Sequence, residues 1–165
     1  MIMPATNRKY KKLAGIAGLV VVLDQITKAI IVLKLPLYSS IIVIPGFFNI
    51  THIRNRGAAF GFLANQSSTL LGIFFILISV LALFFVFYIY INTPKTHPLP
   101  STALALIFGG ALGNLIDRIR FGEVVDFLDC YIGTLHWPAF NVADSTISVG
   151  IVIFVILVIF KKIPI

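Results

Sequence analysis

The chain carries one cysteine, Cys130. A single thiol closes no internal disulfide and builds no cysteine-rich metal site, so Cys130 reads as a small apolar side chain. No glycine-rich phosphate loop and no His-Glu zinc motif occurs. The three histidines, His52, His97 and His136, are far apart, and none meets another metal-ligand residue at helical spacing. They read as surface or interface groups, and neither a metal nor a cofactor is expected. Acids are scarce too: six in 165 residues. Five of them, Asp117, Glu123, Asp126, Asp129 and Asp144, fall within one stretch, and the sixth, Asp24, interrupts an apolar run.

What is abundant is hydrocarbon. Apolar residues make up 59% of the chain and charged residues only 12%, with a mean hydropathy of +1.03. A soluble domain could not cover so much apolar surface. The class is integral membrane protein, and the length suits one bundle, residues 1–165 as a single domain. The formal charge of +7 would suggest nucleic acid in a soluble protein. Here the basic residues gather at the ends of apolar runs, Arg8, Lys9, Lys11 and Lys12 at the start and Lys161 and Lys162 at the finish. Topology signalling and lipid headgroups explain that placement, and no nucleic-acid role is expected.

Four runs are long enough to span hydrocarbon: residues 13–35, 68–91, 101–119 and 141–160. The first resembles a signal peptide in its basic start, but it is too long and no small-residue cleavage site follows. In it Asp24 and Lys28 lie four apart on one helix face, acid first. They form either an ion pair that locks packing or the edge of a functional site. The second run carries no ionisable group and ends in Tyr88 and Tyr90, which fits a lipid-facing helix. In the third, Gly109 and Gly113 make a small-xxx-small face, and Asn114 and Asp117 share a side. Ser101 is its expected N-cap. Asp117 is expected to pair with Arg118 or Arg120 at the membrane boundary. Between the first two spans, Ile41–Ile44 and Phe47–Arg54 read as strands of a small surface sheet within about 37–62. The following RNRGAAFG reads as a tight loop, whose Asn55 and arginines could meet a ligand or headgroups. Residues 121–140 read as a compact loop.

Four spans put both termini on one side, which the positive-inside rule makes cytoplasmic. Asp126, just beyond the third span, and Asp144, in the first turn of the fourth, then share the outer boundary. Two carboxylates in a low-dielectric site cannot both ionise easily, so one holds a proton while the other is a base. Such a pair can hydrolyse an amide through water with no metal and no covalent intermediate. Asp129 is the other candidate in the loop. A serine mechanism would need a base near Ser145, and no histidine is placed for it. A proton-coupled carrier relaying through Asp24, Asp117 and Asp144 remains open, as does a non-catalytic assembly subunit. A relay, however, spreads acids through the membrane depth, whereas all but Asp24 read at one boundary.

Five motifs resemble the lipoprotein signal peptidase (signal peptidase II) family: DQITK from Asp24, RNRGAAFG from Arg54, GNLIDR from Gly113, GEVVDF from Gly122 and FNVADS from Phe140. Any one is weak, but five in the family's order are specific. The resemblance implies four transmembrane helices with a small extracytoplasmic β-sheet cradle between helices one and two. It implies Asp126 and Asp144 as the catalytic dyad, with Asn114, Asp117, Arg118 and Asn141 shaping the site. Asn55 and Gly57 would contact substrate, and Asp24 and Lys28 would brace the dyad. The implied reaction removes the signal peptide of a prolipoprotein before a diacylglyceryl-modified cysteine, at the bacterial inner membrane with the active site facing the periplasm. Membrane lipids are the other expected partners, and a monomer is expected.

Overall fold

In the computed structural model, residues 5–57, 69–94 and 96–160 are described. The element order is α1 (Ala5–Lys34), β1 (Ser40–Ile44), β2 (Phe48–Asn55), α2 (Thr69–Asn92), α3 (Pro98–Phe121), β3 (Val124–Ile132), β4 (Leu135–His136) and α4 (Val142–Ile159). Four of the described helices are long and apolar enough to cross a membrane: Arg8–Lys34, Leu70–Asn92, Pro98–Phe121 and Val142–Ile159. The molecule is a multi-pass membrane protein. The first of these spans starts at Arg8, ahead of the apolar run at 13–35, because the helix extends into the basic segment before it. Ser68, Lys95, Lys161, Lys162 and the end of the expected sheet region, 58–62, lie outside the described residues.

Helix α3 is the hub and packs against α1, α2 and α4. Its glycines explain why. A Cβ on Gly109 would lie 2.9 Å from the Ala17 Cα of α1, and one on Gly110 would collide with the Ala143 carbonyl of α4. Small residues let the backbones meet, so dispersion contacts and hydrogen bonds replace lipid contacts. Helix α2 packs on α3 and turns Leu77, Leu81, Phe84 and Phe85 outward, as its lack of ionisable groups predicts. Tyr90, at its end, is instead buried, and its hydroxyl donates to the Lys9 carbonyl at 2.7 Å.

Two local expectations need correction. Helix α3 begins earlier than Ser101, at Pro98 with His97 as N-cap. Proline is at home in a first turn because its missing N–H has no intrahelical partner there. Ser101 lies inside the helix, with its hydroxyl donating back to the His97 carbonyl at 3.1 Å. His52 is buried rather than superficial, and its Nδ1 lies 2.8 Å from the Leu35 carbonyl just past α1.

The expected strands between α1 and α2 are present as β1 and β2, but the sheet is larger than a cradle between those two helices. Its order is β1-β2-β3-β4, antiparallel throughout. The stretch read as a compact loop supplies β3 and β4. Asn49 faces Asp129 and Ile53 faces Asp126 across β2 and β3, with a register shift between Ile50 and Ile53. Both aspartates are buried, so polar residues stand where a half-buried strand would place apolar ones, and the period-2 signal is lost.

A methyl group at Gly113 would lie 2.6 Å from the Asp24 Oδ2. Gly113→Ala is therefore expected to push the carboxylate away and to lower the unfolding temperature in detergent by several degrees, roughly the effect of 1–3 kcal/mol of overpacking. An unchanged melting temperature would show that α1 and α3 can part without cost.

Candidate active site

The start of α4 builds the site. Asn141 is its N-cap, with φ −135° and ψ −175°. Its side-chain oxygen accepts the Asp144 N–H at 2.9 Å, and Asp144 Oδ2 accepts the Asn141 N–H at 3.2 Å. This reciprocal capping box fixes the Asp144 carboxylate at the helix N-terminus, where the helix dipole favours an anion. Asn114, on α3, donates to Asp144 Oδ1 at 2.8 Å.

Asp126 arrives from β3. Its Oδ1 accepts the Asn141 side-chain amide at 2.7 Å, and its Oδ2 accepts the amide of Asn55, at the end of β2, at 3.0 Å. Asn55 is oriented in turn by the Gly57 N–H, which donates to its Oδ1 at 3.0 Å. Asn141 thus holds the Asp126 carboxyl with one end of its amide and the Asp144 backbone with the other. Burial, and then the negative charge of Asp144, push the Asp126 carboxyl up to about 7, against the pull of the Asn55 and Asn141 hydrogen bonds.

Both carboxyls line one cleft of about 750 Å³, as do Asn55, Gly57, Asn114 and Arg118. Trp137, Pro138 and Phe140 form part of its wall. The other predicted residues, Asp24, Lys28, Asp117 and Asn141, are not among its lining and support it from behind. Lys28 donates to Asp24 Oδ2 at 2.8 Å, to Asp117 Oδ2 at 2.9 Å and to Asn114 Oδ1 at 2.9 Å. Asp24 Oδ1 accepts the N–H of Ala143 at 3.0 Å, and Asp117 Oδ2 accepts that of Val125 at 3.1 Å. Ala143 and Val125 are the residues immediately before Asp144 and Asp126.

The expected pairing of Asp117 with Arg118 or Arg120 is not formed. Asp117 turns inward to Lys28, while Arg118 reaches the cleft with Nη1 3.4 Å from the Ser79 hydroxyl. Desolvation decides this: a carboxylate buried among α1, α3 and β3 takes the cation buried with it. Gln25, to which the sequence alone assigns no role, donates to Asp117 Oδ1 at 2.8 Å. Its place in the DQITK motif, beside Asp24, is the signal for it. Asp129 is absent from the cleft lining. It accepts the Asn49 amide at 2.9 Å and lies 2.8 Å from His136 Nδ1.

The chain is similar to known proteins over most of its length. A family model described as signal peptidase (SPase) II matches residues 16–160. A lipoprotein signal peptidase of Desulforapulum autotrophicum is 51% identical over 158 residues, covering 96% of this chain and 98% of that protein. One from Geobacter sulfurreducens is 56% identical over 135 residues, covering 82% and 83%. A solved bacterial membrane enzyme superposes with a TM-score of 0.81 at 39% identity, covering 91% of this chain and 88% of its own. Sequence likeness at this level, joined to the same helical scaffold, settles descent: the chain belongs to the signal peptidase II family and is a membrane peptidase.

Proposed function

We propose that the protein is an aspartic endopeptidase that removes the signal peptide from diacylglyceryl-modified prolipoproteins, cleaving before the lipidated cysteine. The observation that carries this reading is the arrangement of Asp126 and Asp144. They line one cleft and share Asn141 as a hydrogen-bonding bridge, and Asp126 is pushed up to about 7, where a carboxyl can carry a proton near neutral pH. Asp126 holds the proton and Asp144 is the base. Asp144 takes a proton from water, whose oxygen attacks the scissile carbonyl carbon. Asp126 hydrogen-bonds the carbonyl oxygen as negative charge develops there. The C–N bond then breaks, and the proton taken from water passes to the leaving amine. Asn55 and Gly57 hold the substrate backbone, Asn114, Asp117, Arg118 and Asn141 shape the site, and Asp24 and Lys28 brace it.

The site faces the periplasm at the outer boundary of the bacterial inner membrane, both termini are cytoplasmic, and the enzyme works as a monomer. Lys9 supports the topology by donating to the Ile91 and Thr93 carbonyls at 3.0 and 2.6 Å. The start of α1 and the α2–α3 turn therefore share one end, the end rich in Arg8, Lys9, Lys11 and Lys12. A lipid-anchored cysteine is confined to a plane, and membrane and cleft together orient the scissile bond. The test is cleavage of a synthetic diacylglyceryl prolipoprotein peptide by purified protein. A new N-terminal lipid-cysteine is the expected product, and its absence under conditions where the protein is folded would refute the reading.

The acid role has a pH signature. Asp126 must be protonated, so kcat/KM should fall as pH rises through about 7, approaching tenfold per unit. Asn55→Ala removes a hydrogen bond that favours the carboxylate. The proton is then held more tightly, and the alkaline limb should move to higher pH. A limb that stays in place or moves down in this variant would show that Asp126 is not the titrating group.

A further inference from the structure

All six acids of the chain lie in described residues, and each has polar partners. Asp24 and Asp117 meet Lys28, Glu123 meets Arg56 at 2.6 Å, and Asp129 meets His136. Asp126 and Asp144 form the cleft with their asparagines. No carboxylate is within ion-pair distance of Arg54 or Arg120 among the described residues. Yet each of these two guanidinium groups lies 4.8 Å from the centroid of the same ring, that of Phe121. Phe121 is the last residue of α3 and is exposed. Among the described residues, Arg120 has one further polar contact, Nη1 3.3 Å from the neutral Gln25 Oε1.

Two cations on one ring, with no carboxylate beside either, make this rim strongly positive, and an anion bound there offsets their mutual repulsion. Cation–π contact fixes each guanidinium and leaves its N–H donors for another acceptor. Guanidinium N–H forks match the oxygens of a phosphodiester. The setting selects the source. Phe121 ends a spanning helix, at the depth of lipid headgroups, and Arg54 also lines the cleft. We propose that Arg54, Arg120 and Phe121 form a binding site for the anionic phosphodiester headgroup of a membrane lipid at the rim of the cleft. The bound lipid joins the end of β2 to the end of α3 and holds the rim at headgroup level. This goes beyond the peptidase reading and needs only the membrane placement of this end, so its test uses no cleavage step.

The full-length protein is reconstituted in phosphatidylcholine vesicles containing a minority of phosphatidylglycerol, and the lipid it retains is measured by native mass spectrometry. The wild type should retain phosphatidylglycerol in preference to phosphatidylcholine. Arg54→Gln and Arg120→Gln should each weaken retention about fivefold, and the double variant by about 25-fold. Arg56→Gln removes an equal charge nearby, one already paired with Glu123, and should keep retention close to wild type. Inorganic phosphate added to pure phosphatidylcholine vesicles should bind far more weakly than the lipid. No preference in the wild type, undiminished retention in the double variant, or equal loss in Arg56→Gln would overturn the site, the last by showing diffuse surface charge. Phosphate binding as tight as the lipid's would overturn the lipid as ligand. Should the double variant fail to fold, the wild-type preference and the single variants still decide.

Discussion

Asp126→Asn and Asp144→Asn should each lower kcat for lipopeptide cleavage by about 10²–10⁴-fold, the range over which positioned acids and bases act. The asparagine replacements are isosteric but cannot exchange a proton. Their effects should not multiply, because either residue without the other leaves no proton cycle, and the double variant should be about as slow as the slower single one. Asp129→Asn is the control in the same strand. Its carboxylate faces Asn49 and His136 and is absent from the cleft lining, so its effect should be far smaller. Initial rates with a lipidated peptide, together with melting temperatures, check all four variants. Substantial turnover by either dyad variant removes that residue from the mechanism, and a dead Asp129→Asn beside an active Asp126→Asn would move the acid three residues along β3.

What the sequence revealed and concealed follows from the range of each interaction. The Asp24–Lys28 pair is local, four residues apart on one helix, and its spacing announced it. The second partner of Lys28 is Asp117, on another helix, and nothing near Asp117 points to it; adjacent Arg118 and Arg120 drew the assignment instead. Strand β3 was hidden because the two aspartates that make it informative, Asp126 and Asp129, occupy buried positions of a sheet. The placement of Asp144 is legible in a local spacing. Asn141 and Asp144 are three apart immediately before an apolar run, the spacing of a capping box. That box, together with the reach of Asn141 to Asp126, converts an 18-residue separation in sequence into one site. The hydrophobic spans were plain because membrane crossing demands length and apolarity, which sequence displays directly.

Lys28→Met should be the most damaging substitution outside the proposed dyad. It leaves two carboxylates, Asp24 and Asp117, buried beside each other with no cation. Breaking a buried ion pair from one side costs about 3–5 kcal/mol, because the remaining charge is uncompensated. The functional consequence follows from where those carboxylates lead. Asp24 holds the N–H before Asp144, and Asp117 holds the N–H before Asp126. Lys28 therefore ties together the two chain segments that carry Asp126 and Asp144. A shift of about 1 Å there is expected to lower activity on the order of 100-fold. Removing the orphaned charges should reverse the instability stepwise. Lys28→Met with Asp24→Asn, or with Asp117→Asn, should be more stable than Lys28→Met alone, and the triple variant more stable than either, since asparagine can still accept the Ala143 and Val125 N–H groups. Activity in the triple variant should recover in part, because geometry returns while no dyad residue has changed. Thermal unfolding and initial rates across the series test this. Simple additivity of the stability effects would mean that Lys28 does not couple the two carboxylates, and restored stability with no return of activity would give Lys28 a direct part in the chemistry rather than a positioning one.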